Sequence, residues 1–338
     1  MQLTFRRFDL RLRHTFTIAR GSSDIDPVML VELEHDGQVG LGEAAPSGRY
    51  GESIDTVGQF LGSLDLSRFH DPFALEDILA MVDAHRPGNP AAKAAVDLAL
   101  HDWVGKRLGV PLYRLWGLNP EKTPVTSFTI GIDTPEVIRR KVEEAEPYPL
   151  LKIKLGSDHD REIMQAIRSV TKKTLRVDAN EGWKTKEVAL ERVKWLEQEG
   201  VEFVEQPMPA ADLAGTAWLR ERSPLPLIAD ENCVRVNDIP LLRGVFDGIN
   251  IKLMKCTGLR EAMSMIRTAK ACGLKVMMGC MIETSVAITA GAHLSPLLDY
   301  ADLDGNVLTT NDPYRGVVIR EGRLVLPDRP GIGVVLSA

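Results

Sequence analysis

Hydrophobic and polar positions divide the 338-residue chain into two regimes. Up to about residue 60 they alternate with a period of two. LTFRRFDLRL (3–12) reads as a strand, and PVMLVELEHDGQVGLGEA (27–44) reads as a hairpin with Asp36-Gly37 at its turn. Between them, TFTIARGSSDIDP (15–27) is polar and too long for a tight turn. A loop is expected there, of the length usually associated with function or disorder. From about 52 to 118 the period becomes helical, ending in AAKAAVDLALHDWVGKRLG, with Pro90 ahead of it and Gly109 near its end as boundary signals.

Beyond about residue 123, short apolar runs alternate with amphipathic segments and recur roughly every 25 residues. Eight strands are predicted, at 126–132, 150–156, 174–180, 202–207, 226–232, 248–255, 275–283 and 300–305. Between most of them lie helical segments such as TKEVALERVKWLEQEG, expected to turn Val188, Leu190, Val193 and Leu196 to the sheet. Strand and helix in alternation imply parallel pairing and right-handed crossovers. The predicted fold is therefore α/β, a (β/α)8 TIM-type barrel at 123–310 with an α+β capping domain at 1–122. The hairpin-like segment 311–338 cannot be a ninth barrel strand and is expected to return to the capping domain.

Composition narrows the function classes. With 44% apolar and 26% charged residues the chain can build a large core, and a net charge of -6 leaves no basic footprint for nucleic acid. No run approaches the roughly 20 apolar residues of a membrane span, and the N-terminus has no signal-peptide core. Cys233, Cys256, Cys272 and Cys280 lack metal-type spacing and read as thiols of a reducing compartment. A cytoplasmic protein is expected.

The chemistry lies at the carboxyl ends of the predicted strands, which in a barrel converge on one mouth. Asp178, Glu205 and Asp230 end three successive strands. Together they would repel one another, a cost that a hard divalent cation removes. Oxygen-only ligation suits Mg²⁺, one per subunit, with Mn²⁺ as the alternative. Asn180 and Glu231 adjoin these ligands and are expected to support them by hydrogen bonds, as is Glu283 from the seventh strand. Lys152 and Lys154 share a face of the second strand. Lys252 and Lys255 end the sixth strand, on the far side of the ring. Amines crowded beside a cation should have depressed pKa values, which suits proton transfer at neutral pH. Asp302 and Asp304, in DLDG on the eighth strand, could hold a substrate ammonium.

KIKLG, VDANEGW, VEQP, ADEN and KLMKCTG, with the helical AAVDLALHDWVGKRLGVPLYRLWG, resemble the enolase superfamily, specifically its muconate-lactonising subgroup. That resemblance implies Lys154 and Lys255 as an opposed acid/base pair, Lys152 assisting Lys154, and Mg²⁺ on Asp178, Glu205 and Asp230. No histidine stands in the seventh strand, which disfavours the mandelate-racemase branch. DLDG is similar to the Asp-x-Asp motif of dipeptide epimerases, and Arg20 and Thr129 resemble substrate contacts.

The implied reaction inverts the α-carbon of the second residue of an L-Ala-X dipeptide by two-base proton transfer through an enediolate, and its isomerase setting is murein-peptide metabolism. Ala-Glu, Ala-Ala and hydrophobic dipeptides stay open, as does a homo-oligomer. N-acylamino-acid racemase and o-succinylbenzoate synthase are the enzyme alternatives, and the Asp pair argues against both. A binding protein retaining the fold is the non-enzyme alternative, opposed by the complete set of lysines and carboxylates.

Overall fold

The structure is a computed structural model and describes residues 1–337. The period-two region forms an antiparallel sheet of β1 (Gln2–Ile18), β2 (Gly21–His35) and β3 (Gln38–Ala44), in that order. Asp36 and Gly37 take φ of 49° and 73°, the left-handed pair a tight hairpin turn needs. The expected loop at 15–27 is instead a continuation of the β1–β2 ribbon. Pairing resumes after a register shift between Arg11 and Phe16 and runs to Ile18 opposite Gly21, leaving Ala19-Arg20 at the tip. Its polar residues satisfy one another across the strands, Thr15 Oγ1 donating to Asp24 at 2.6 Å and Thr17 meeting Ser22 at 2.9 Å. These polar pairs carry the ribbon beyond Phe16 and Ile18, which is why the segment reads as a loop.

Helices α1 (Ile54–Gly62), α2 (Leu75–His85), α3 (Pro90–Leu108) and α4 (Leu112–Leu115) complete this half. Helix α3 is buried from Pro90 to Gly105 and closes at Gly109, φ 70°. It lies so close to β3 that a Cβ at Gly40 or Gly42 would collide with the carbonyls of Ala99 and Ala95.

The second half is an eight-stranded parallel sheet curled into a barrel. Its strands are β4 (Phe128–Ile130), β5 (Leu150–Lys154), β6 (Thr174–Asp178), β7 (Val201–Glu205), β8 (Leu227–Ala229), β9 (Gly248–Lys252), β10 (Lys275–Gly279) and β11 (Tyr300–Asp302), neighbours in sequence order. A parallel bridge between Thr126 and Ala301 joins the first strand to the last. The outer helices are α5 (Pro135–Glu144), α6 (Asp160–Arg168), α7 (Lys186–Gln198) and α8 (Leu213–Arg220), followed by α9 (Leu253–Cys256), α10 (Leu259–Ala271) and α11 (Ser285–Ala292). The crossover from β8 to β9 carries a 3₁₀ turn at Val236–Leu242, with Pro240 inside it. Helix α7 buries Ala189, Val193 and Leu196 but leaves Val188 exposed, one position off the expected stripe. At the base of the barrel Arg176 lies over the rings of Phe203 and Tyr300, which pack on each other and with Ile228 and Met277.

Buried carboxylates of the first half cap helices of the second. Glu43 accepts from the backbone N–H groups of Thr284 and Ala287 at the start of α11. Asp97 does the same for Leu259 and Arg260 of α10. Strands β12 (Tyr314–Arg315) and β15 (Val335–Leu336) pair with each other, as do β13 (Val318–Arg320) and β14 (Arg323–Val325). None of these joins the N-terminal sheet. The tail reaches α3 through Ile332 N–H, which donates to Asp102. Among the described residues no helix is long and apolar enough to cross a membrane.

Candidate active site

The carboxyl ends of the barrel strands open into a cavity of about 440 Å³, roofed by the β1–β2 ribbon. Beneath the cavity, with Asp230 in its lining, oxygens of Asp178, Glu205 and Asp230 lie within 4.8 Å of one another, all three side chains buried. Neighbouring lysines hold two of them ionised. Burial alone would raise Asp178, but Lys154 and Lys152 keep it below the usual range. Burial opposes ionisation at Asp230 too, and Lys252 and Lys255 outweigh it. Glu205 is the exception, pushed up to about 7 by burial and by Asp178.

Glu205 accepts Asn250 Nδ2 at 2.7 Å through Oε1. Its Oε2 lies 2.7 Å from Lys152 Nζ yet accepts no well-aligned hydrogen bond. An ion-pair distance without a directed hydrogen bond leaves that oxygen free to ligate. Three convergent buried oxygens, one unsatisfied, fit a hard divalent cation such as Mg²⁺.

The four lysines part company. Lys154 lines the cavity and donates to Asp178 Oδ2 at 2.7 Å. Lys252 lines it from β9, four strands round the ring, and donates to Asp230 Oδ2 at 2.8 Å. Lys255 does not reach the cavity. The chain turns helical at Leu253, which drops Lys255 behind Asp230, fully buried. There Nζ donates to Asp230 O and Oδ1 and to Asn250 O at 2.5–3.0 Å, using all three of its hydrogens. Of the two lysines that end the sixth strand, Lys252 and not the expected Lys255 shares the cavity lining with Lys154. Lys152 is surrounded by Asp302 and Glu205, each at 2.7 Å, and Asp178 at 3.2 Å. Burial would lower Lys152 and Lys252, but their carboxylate neighbours alone raise both well above the usual value; the depression expected beside a cation belongs to the metal-loaded site.

The remaining expected residues are distributed around this floor. Asn180 N–H donates to Asp178 Oδ1 at 2.9 Å. Glu231 bonds neither ligand side chain; its Oε1 receives Arg20 Nη1 at 2.7 Å. Arg20 at the ribbon tip also donates to Asn180 O. Glu283 is buried beside Glu43, accepts Met281 N–H, and touches none of the triad. Burial and Glu43 push its carboxyl up to about 8. Asp302 and Asp304 both line the cavity, and Thr129 N–H donates to Asp304 Oδ2 at 2.6 Å. Burial and the charge of Asp302 push Asp304 up to about 7. Ile18, Met281 and Ile282 form an apolar side of the cavity.

Residues 136–338 match the family described as enolase C-terminal domain-like, and residues 2–117 match the mandelate racemase / muconate lactonizing enzyme N-terminal domain. The chain belongs to the enolase superfamily. It is 52% identical over 336 residues to the L-Ala-D/L-Glu epimerase of Bacteroides thetaiotaomicron, covering 99% of this chain and 88% of that one. Among solved structures, a substrate-liganded L-Ala-D/L-Glu epimerase from Bacillus subtilis superposes with a TM-score of 0.92 at 30% identity, over 100% and 99% of the two chains. A dipeptide epimerase from Enterococcus faecalis, complexed with Mg and L-Leu-L-Tyr, gives 0.89 at 34% identity over 98% of each.

Two residues of this superfamily member escape a reading by strand ends alone, and a third, Gln206, stands at a strand end in VEQP without its role being evident there. Asn250 sits two positions before Lys252 on the same face of β9, so period-two reasoning could have found it. Ser127, two before Thr129, carries the same signal. Gln206 accepts Asp230 N–H through its side chain while its own backbone is left-handed, φ 35°. Asn180 and Glu181 share that conformation. Non-glycine residues held there are costly and cluster at functional sites.

Proposed function

We propose that this protein is a magnesium-dependent dipeptide epimerase inverting the α-carbon of the second residue of L-Ala-Glu-type dipeptides. The observation that carries this reading is the pair Lys154 and Lys252, lining one cavity from strands four apart in the ring, with three convergent carboxylates beside them. Asp178, Glu205 and Asp230 would hold Mg²⁺, which supplies positive charge beside the substrate carboxylate as negative charge develops. One lysine, as the free amine, takes the α-proton from one face. The other, as ammonium, returns a proton to the opposite face, and the roles reverse for the other epimer.

The Asp302/Asp304 carboxylates favour a free amino group over an acylated one. Arg20 spends only Nη1 on protein groups among the described residues, leaving Nε and Nη2 to receive a side-chain carboxylate. The relatives' names agree with such substrates. The test is solvent deuterium incorporation into an L-Ala-L-X library with Mg²⁺, read by mass spectrometry. Exchange at the second residue, strongest for X = Glu and abolished by chelation, is expected. Exchange confined to N-acylated amino acids would replace the reading with a racemase.

A further inference from the structure

One turn of the capping half reaches into the cavity near Asp230. Residues Gly48–Tyr50 form a single 3₁₀ turn between β3 and α1. Ser47 opens it, its hydroxyl accepting Arg49 N–H at 3.3 Å and its carbonyl accepting Tyr50 N–H at 3.0 Å. Gly51 closes it with φ of 71°. Both flanks are fastened. Arg49 donates through Nε and Nη2 to the two oxygens of Glu181 at 3.0 and 3.1 Å, and Glu181 is itself held by Ala210 N–H at 2.9 Å. A forked pair of this kind fixes orientation as well as distance. Glu52 accepts the backbone N–H groups of Ala91 and Ala92 at the start of α3. Between these anchors Tyr50 lines the cavity together with Asp230 and Lys252. Its hydroxyl bonds to no protein group among the described residues, although Lys252 and Arg20 lie close enough for their charges to act on it. A phenol in such a place usually has a partner. The donors around this one are already committed, Lys252 to Asp230 and Arg20 to Glu231.

We infer that Tyr50 is a catalytic residue contributed by the capping half: its hydroxyl donates a hydrogen bond to the α-carboxylate of the substrate's second residue as negative charge builds there on loss of the α-proton, and Arg49 is the residue that positions it. This rests on the dipeptide reading above. The acceptor follows from place. The amino end of the substrate belongs beside Asp302 and Asp304 on β11, and an ammonium accepts nothing. The reacting carbon belongs between Lys154 and Lys252, so its carboxylate lies by the triad, where the charge of Asp230 reaches Tyr50. A phenol is protonated at neutral pH and can donate. Burial, and after it Asp230, push this one further up, with Lys252 opposing. A donor fixed in advance where charge develops does more for the transition state than for the bound substrate. No proton is transferred; the phenol keeps its hydrogen throughout.

The test is Tyr50→Phe, which keeps the ring and removes the hydroxyl, with folding checked by circular dichroism. Steady-state kinetics are measured with Mg²⁺ on L-Ala-L-Glu and on the non-acidic L-Ala-X dipeptide that the wild type turns over fastest, each from both epimers. kcat should fall about 10²-fold, as loss of one such donor does. The factor should agree within about threefold across substrates and directions, and KM should move by less than about threefold. Uniformity is the discriminating sign, because the α-carboxylate is common to every dipeptide and the side chain is not. Unchanged kcat, or a loss confined to L-Ala-L-Glu or to KM, would overturn the role and leave Tyr50 as a wall of the side-chain pocket. Arg49→Ala frees the turn from Glu181 and should lower kcat by a smaller uniform factor. Combined with Tyr50→Phe it should add nothing further, since both act through one hydroxyl. Additive losses would overturn the part given to Arg49. Absence of wild-type turnover on any free-amine dipeptide would instead overturn the reading beneath it.

Discussion

Three residues of spacing separate Lys252 from Lys255, and that spacing decides which amine can meet a substrate. On a continued strand the two would point to opposite faces; with the turn at Leu253, Lys252 faces the cavity and Lys255 lies behind Asp230. Lys252→Ala and Lys154→Ala should each lower epimerisation by about 10²- to 10⁴-fold. Each should still exchange the α-proton of one epimer with solvent, a different epimer for each variant, because one lysine remains. Lys255→Met keeps both facing amines, so it should retain turnover at saturating Mg²⁺ and lose thermal stability. A Lys255→Met protein with intact stability and no exchange of either epimer would reverse the assignment.

At the scale of elements, the β1–β2 ribbon is held down at its tip by Arg20 on Glu231 and at its base by Lys141, which donates to Thr15 O. Between these points it roofs the cavity with Phe16 and Ile18. Removing the guanidinium in Arg20→Ala should speed amide hydrogen exchange over 16–23 about tenfold or more, since charge-assisted bonds of this kind are among the stronger ones. Exchange over 28–34 should not change. KM should rise more for Ala-Glu than for Ala-Ala. Unchanged exchange at 16–23 would mean that the ribbon is held by something other than its arginine.

The same ribbon shows where sequence patterning stops being informative. Barrel strands are legible because buried apolar runs end in charged residues, as LLKIK and TLRVD do. The triad follows from that rule. The distal ribbon turns Phe16 and Ile18 to a cavity rather than to a packed core, and the polar run after Ile18 pairs across the strands through side chains that a linear reading cannot see. Lys255 fails for a related reason: KLMK is equally apolar as strand or helix, and the turn at Leu253 is set by Asp230 and Asn250 accepting the ammonium.

On the scale of the whole molecule, the two halves and the tail meet at His293, where a proton can test their union. Its Nδ1 accepts Tyr113 N–H from α4 at 3.3 Å, and its Nε2 lies 2.9 Å from Ile332 O of the tail. A ring that accepts at one nitrogen and donates at the other must be neutral. Burial accordingly pushes His293 down to about 4 from an ordinary 6.5. The folded value lies below the unfolded one, so stability from this site is complete above about pH 6.5. It is lost as pH falls towards 4, because the unfolded chain takes up a proton the folded one refuses. The loss across that window is roughly 3 kcal/mol. Glu43 has the opposite sign: burial raises it to about 7, so folding gains as pH falls from 7 towards 4.5. Glu205, Asp304 and Glu283, raised to about 7, 7 and 8, act in the same direction as Glu43, so the wild-type pH profile mixes all of these and a difference is needed to separate His293. His293→Gln can accept from Tyr113 and donate to Ile332 without titrating, and it leaves Glu43 untouched. Urea unfolding of both proteins between pH 4.5 and 7.5 should give curves that converge or cross as pH falls, the variant losing less stability. Parallel curves would mean that His293 is not held neutral, and that the junction of cap, barrel and tail does not depend on that proton.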